Sequence, residues 1–105
     1  MDKASIVITS SNTPIMMSPT VVHDGTQFIM WYNSGGNIYK RTSIDCYTWS
    51  DEVKTTVTGL TSGKYVFHLD VYLSGDGRLE MLAALNTNRL AYGLSLDGGD
   101  SWVLE

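Results

Sequence analysis

The feature that most constrains this 105-residue chain is an internal repeat. Asp24-Gly25 returns as Asp76-Gly77, and Ser43 and Asp45 return as Ser95 and Asp97, each 52 residues further on. Ile29-Met30 match Met81-Leu82 and Ile38 matches Leu90 at the same offset. Unrelated landmarks that share one period mark two copies of one structural unit.

Within each copy, apolar residues do not recur at helical spacing. Short β-rich runs stand between turn signals instead. Ile6-Val7-Ile8 reads as a first strand, followed by Thr20 to Val22, Phe28 to Tyr32, Asn37 to Arg41 and a strand near Val53 to Val57. The order then returns as His68 to Leu73, Leu79 to Leu85 and Leu90 to Leu94. Asp24-Gly25, Gly35-Gly36, Asp76-Gly77 and Asn86-Thr87-Asn88 supply the turns. Phe28, Met30 and Tyr32 lie on one face of their strand and Ile29 and Trp31 on the other, so both faces are apolar and need cover. A period near 50 with about four strands per copy predicts an all-β fold of two tandem four-stranded antiparallel propeller-type blades. The whole chain is one domain, 1–105, with blade one at about 18–58 and blade two at about 66–105.

Composition narrows the function. The chain is 43% hydrophobic with a formal net charge of -4, as expected of a folded domain. It holds no cluster of Lys and Arg, which argues against a nucleic-acid partner. It has no apolar run long enough for membrane insertion and no signal peptide at Met1-Asp2-Lys3-Ala4. Cys46 stands alone, so no disulfide, metal centre or cofactor is expected from it, and it reads as a half-buried filler.

Each copy ends on a specific turn motif. Ser95-Leu96-Asp97-Gly98-Gly99-Asp100-Ser101-Trp102 fits S-x-D-x-G-x-[ST]-W, and Ser43-Ile44-Asp45-Cys46-Tyr47-Thr48-Trp49 is a copy one residue shorter, with Tyr47 at the glycine position. The short Asp side chain accepts N–H groups of its own turn, Gly supplies positive φ, and Trp pins the turn to the sheet. These residues resemble the Asp boxes of sialidases and related propellers. Ser18 to Val22, Phe28 to Tyr32 and His68 to Val71 also resemble the five-bladed propellers of glycoside hydrolases and phage tail proteins. The resemblance implies that Ser43, Asp45, Trp49, Ser95, Asp97, Gly99 and Trp102 are structural, on the side away from a ligand. It also fits a virion surface or tail component.

Catalysis on sugars needs two carboxyl groups placed across the ring. Most acids here are taken up by turns and motif positions, which leaves Asp70 and Glu80. Asp70 opens an inner strand, where the resembled glycosidases point acids into a central pocket. At an offset of 52 its repeat mate is Ser18, so a blade does not itself require an acid there. No second carboxylate has a matching position, the arginine cluster of sialidases is absent, and no catalytic residue is assigned. Binding needs only aromatic faces and a few polar groups. Asp70, His68, Trp31, Tyr32 and Tyr72 are the candidates, with Trp31 and Tyr32, which stand where repeat symmetry gives Ala83 and Ala84, either lining a pocket or filling a core gap.

The expectation is a non-catalytic, lectin-like, receptor-binding propeller module with a glycan as ligand. A fragment of a glycoside hydrolase, or a degenerate one, and a purely structural oligomerisation domain are the alternatives. Two blades cannot close a ring, and residues such as Phe28, Met30, Leu82 and Leu85 would face water. The second copy ends soon after its motif, so its outermost strand is expected to be missing. Residues 1–9 are expected to supply the closing outer strand. Head-to-tail closure then gives a homotrimer of six blades, as in small two-bladed fucose-binding lectins.

Overall fold

The computed structural model describes residues 16–105, which form nine strands and no helix. The first sheet is an antiparallel meander of β1 (Met17–His23), β2 (Phe28–Ser34), β3 (Asn37–Ser43) and β4 (Val53–Lys54), in that order. The second contains β5 (Thr56–Thr58), β6 (Val66–Leu73), β7 (Leu79–Leu85), β8 (Leu90–Ser95) and β9 (Ser101–Leu104). Its spatial order is β5-β9-β8-β7-β6, with β5 parallel to β9 and every other pair antiparallel.

The all-β class and the antiparallel meanders agree with the sequence reading. Three details differ. The second sheet has five strands rather than four. Its outer strand is not missing: β9 pairs with β8 through Gly93–Leu104 and Leu94–Val103. The strand expected over Val53 to Val57 is split at Thr55. Its first half joins the first sheet and its second half the second, with Thr55 buried and bonded to the Ile38 carbonyl through both N–H (2.9 Å) and Oγ1 (2.8 Å). The expected closing strand within residues 1–9, including Ile6 to Ile8, lies outside the described residues.

Strand pairing also corrects the repeat alignment. Phe28 pairs with Ser43, and Leu79 with Ser95. Phe28 is therefore equivalent to Leu79, and Trp31 to Leu82 rather than Ala83. Trp31 pairs with Thr20 and Leu82 with Asp70, which makes Thr20, not Ser18, the mate of Asp70. The offset is thus 50 in the first strand of each copy, 51 in the second and 52 in the third. It grows because the β6–β7 hairpin and the β7–β8 turn are each one residue longer than their counterparts. The motif turn adds one more, between Trp49 and Trp102.

The core lies between the two sheets. Ile29, Trp31 and Ile38 of the first pack on Leu69, Val71, Met81, Ala83, Trp102 and Leu104 of the second. Trp31 is the central piece. It is 0% exposed, meets Trp102 edge-on at 5.8 Å between centroids, and donates its indole N–H to the Gly99 carbonyl at 3.0 Å. Beside it, Lys40 Nζ reaches the Gly98 carbonyl and the Asp100 carboxylate, both at 2.9 Å. The first sheet therefore grips the motif turn of the second.

Both motif turns are closed by their own side chains. Ser43 Oγ accepts the Asp45 and Cys46 N–H groups, and Asp45 Oδ1 accepts those of Tyr47 and Thr48. Cys46 adopts φ 66° where the second copy uses Gly98 at 76° and Gly99 at 85°. In the second turn Ser95 Oγ accepts the Gly99 N–H, and Asp97 accepts the Ser101 N–H at 2.9 Å and its hydroxyl at 2.5 Å. The Ser101 hydroxyl, then the Ser101 N–H and the Ser95 hydroxyl, hold the Asp97 carboxyl down at about 2.

Two predictions follow from this geometry. A Cβ at Gly99 would overlap the Trp31 ring, and Gly99 has positive φ. Gly99→Ala should therefore cost about 3 kcal/mol or more in denaturant unfolding, from overpacking plus left-handed strain. Asp97 has a depressed folded pKa, so its contribution is complete above its ordinary 3.8 and lost as pH falls through about 2. Melting temperature should fall across that window in the native chain and change less steeply in Asp97→Asn.

Candidate functional site

The two sheets meet along their first strands. Equivalent residues touch there: the Thr20 hydroxyl donates to Asp70 Oδ1 at 2.9 Å and accepts the Val71 N–H at 3.3 Å, while the Ser18 hydroxyl bonds His68 Nδ1. His68 also packs edge-on against Phe67. Asp70 and His68 are exposed, and Tyr72 is 64% exposed on the same strand. Asp70 and Tyr72 share a shallow groove of about 260 Å³ with Glu80, Leu82 and Tyr92, on the outer face of the second sheet. There Glu80 accepts the Tyr92 hydroxyl at 2.7 Å, which raises that phenol's pKa.

Trp31 and Tyr32 do not belong to any such surface, which corrects their place among the ligand candidates. Trp31 is spent on Gly99 and Trp102. Tyr32 is also 0% exposed; it donates to Glu52, accepts from Arg41 Nε at 3.0 Å and stacks on Tyr39. Burial, followed by the Glu52 hydrogen bond, pushes its phenol up to about 12. Glu52 is the anchor of this cluster, with Arg41 Nη2 at 3.7 Å.

A larger groove, of about 660 Å³, opens in the seam between the sheets. It exists because the chain leaves the first sheet at Lys54, pivots at Thr55 and joins the second at Thr56. The gap left behind is walled by Gly36-Asn37 on one side and residues 60–65 on the other. The second wall is fixed by Asn86 of the β7–β8 turn. Its Oδ1 accepts the Tyr65 N–H at 2.8 Å, its Nδ2 donates to the Gly63 carbonyl at 3.0 Å, and its own N–H donates to the Tyr65 carbonyl. The Tyr65 side chain lies against Gly36. Asn37, Thr61 and Ser62, which carry amide and hydroxyl groups, line the same groove as this ring. A planar ring edged by amides and hydroxyls suits a sugar, which offers an apolar face and a rim of hydroxyls.

Sequence reasoning missed this groove because its polar residues look like ordinary loop chemistry. The readable signal was the polar run Thr61-Ser62-Gly63-Lys64-Tyr65 between the copies, facing the Gly35-Gly36 turn. Among the described residues, no group of three or more His, Cys, Asp or Glu is placed to hold a metal ion. No helix there is long and apolar enough to cross a membrane.

The observed features define an all-β protein of two repeated sheets with a polar seam. No protein-family model matches the chain, and a search of curated proteins gives no match. Among solved structures, it is similar to an N-acetylgalactosamine deacetylase from F. plautii, crystallised in complex with blood group B trisaccharide. The TM-score is 0.78 and the sequence identity 26%. The likeness covers 93% of this chain and 31% of that one, so this chain spans less than a third of its neighbour's length.

Asn86 is predicted to set the groove wall. Asn86→Ala should leave the fold intact but speed hydrogen exchange at the Tyr65 amide by about tenfold, the loss of roughly one net hydrogen bond. Unchanged exchange would show that the wall is held by other means.

Proposed function

We propose that this chain is a non-catalytic glycan-binding module of β-propeller type. Its sugar lies in the seam groove, against Tyr65 with Asn37, Thr61 and Ser62, and further copies of the chain complete its ring. The observation that carries this reading is the likeness, over nearly the whole chain, to a protein crystallised with a trisaccharide. The groove adds the chemistry a sugar needs. The motif turns support the propeller part of the reading, since each is stabilised by the hydrogen bonds that an Asp box requires.

Ring completion draws support from the repeat alignment. Leu82 is equivalent to Trp31, so the outer face of the second sheet corresponds to the face of the first sheet that packs on its neighbour. That outer face is open: Leu82 is 57% exposed, and Leu90, Tyr92 and Val103 are exposed beside it. Of the four residues expected to face water, Leu82 does so, Phe28 is half-buried, and Met30 and Leu85 are buried. A second copy on the Leu82 face, repeated head to tail, gives three chains in a closed ring.

A second reading, a fragment of or a degenerate glycoside hydrolase, rests on one observation. The Asp70–Leu82 and Tyr72–Glu80 pairings put the two acidic residues diagonally on one face, with their Cα atoms on the order of 7 Å apart. Both already hold hydroxyl partners, Thr20 and Tyr92. Turnover of aryl glycosides by the native chain, abolished in Asp70→Asn and Glu80→Gln, would favour this reading.

The main test pairs a glycan array with light scattering on the purified chain. Glycan binding that weakens in Tyr65→Ala at unchanged melting temperature is expected. So is a trimer that Leu82→Asp converts to smaller species. A native chain that binds no glycan would end the proposal.

A further inference from the structure

We propose that the seam groove selects glycans bearing an anionic substituent, a carboxylate or a sulfate, through Lys54 and Lys64. The inference rests on the glycan-binding reading above and specifies its ligand. Both lysines line the groove, one from β4 and one from the wall that Asn86 fixes. No Asp or Glu is among the lining residues, although acids outnumber Lys and Arg by 11 to 7 in the whole chain.

Three of the other four described lysine and arginine side chains differ in this, while Arg89, outside the groove, also has no ion pair. Lys40, Arg41 and Arg78 each pair with a carboxylate, Asp100, Glu52 and Asp76 respectively. Lys54 and Lys64 have no ion pair among the described residues. Two lysines without carboxylate partners, in one concave site that holds no acid, create a local positive potential in an acidic protein. An ammonium group binds carboxylate or sulfate oxygens through charge-assisted hydrogen bonds. The net charge of -4 disfavours a long polyanion.

The test titrates the full chain by calorimetry with four probes of similar length. These are a sulfated heparin-derived oligosaccharide, a glucuronate-containing hyaluronan oligosaccharide, a neutral dextran oligosaccharide and oligo-dT. The expected result is binding of one or both acidic sugars in preference to dextran and oligo-dT, with affinity falling as salt rises. Lys54→Gln and Lys64→Gln should each weaken it by about tenfold, and Lys54→Arg should retain it. Melting temperatures confirm that the variants fold. Equal binding of neutral and acidic sugars, unchanged in the Lys54→Gln/Lys64→Gln double variant, would overturn this inference while leaving the glycan reading intact. Tighter binding of oligo-dT than of either acidic sugar would overturn it in favour of a nucleic acid. Binding of no sugar at all would overturn both readings.

Discussion

The fold depends on one buried clamp, the Trp31 indole seated against the backbone of Gly99. The ring fills the space between the sheets, and its N–H satisfies a carbonyl that the turn would otherwise leave unpaired in the core. The same contact explains why the two motif turns differ. Gly99 is required because Trp31 lies against it. Tyr47 is tolerated in the first turn, where the equivalent position is exposed. A large residue on the strand therefore calls for a small one on the turn, and the rest of the seam is positioned by that pairing.

Much of the fold was legible because the repeat is written in turn residues. Glycines and short polar residues mark chain reversals whatever surrounds them, so six of the nine strands fall where turn signals and β-rich runs place them. The break at Thr55 carries no comparable signal. Thr, Val and Lys suit a continuous strand, and the split is imposed by two sheets competing for the same segment. The missed outer strand has a related cause: Ser101–Leu104 is short, and half of it coincides with the motif itself.

The candidate site was harder to read than the fold. Trp31 and Tyr32 looked available because aromatic residues on a strand with two apolar faces fit a pocket and a core equally well. Burial decided the matter, and burial depends on which sheet lies opposite. A rigid offset of 52 also placed Trp31 opposite Ala83, which hid its equivalence to the exposed Leu82. The groove is built from residues 36–38, 54–57 and 60–66, three segments that only the turn from one sheet to the next brings together.

The shared segment from Val53 to Thr58 bears on how the protein folds. In many repeat arrays each unit forms from its own local chain and then adds to its neighbour. Here Thr56 pairs with Ser101, 45 residues away, so the segment that leaves the first sheet has its partner in the last strand of the second. Closing so long a loop is an entropic cost met late, after the local hairpins have formed. The two sheets are thereby strapped into one cooperative unit, and neither can unravel without pulling on the other.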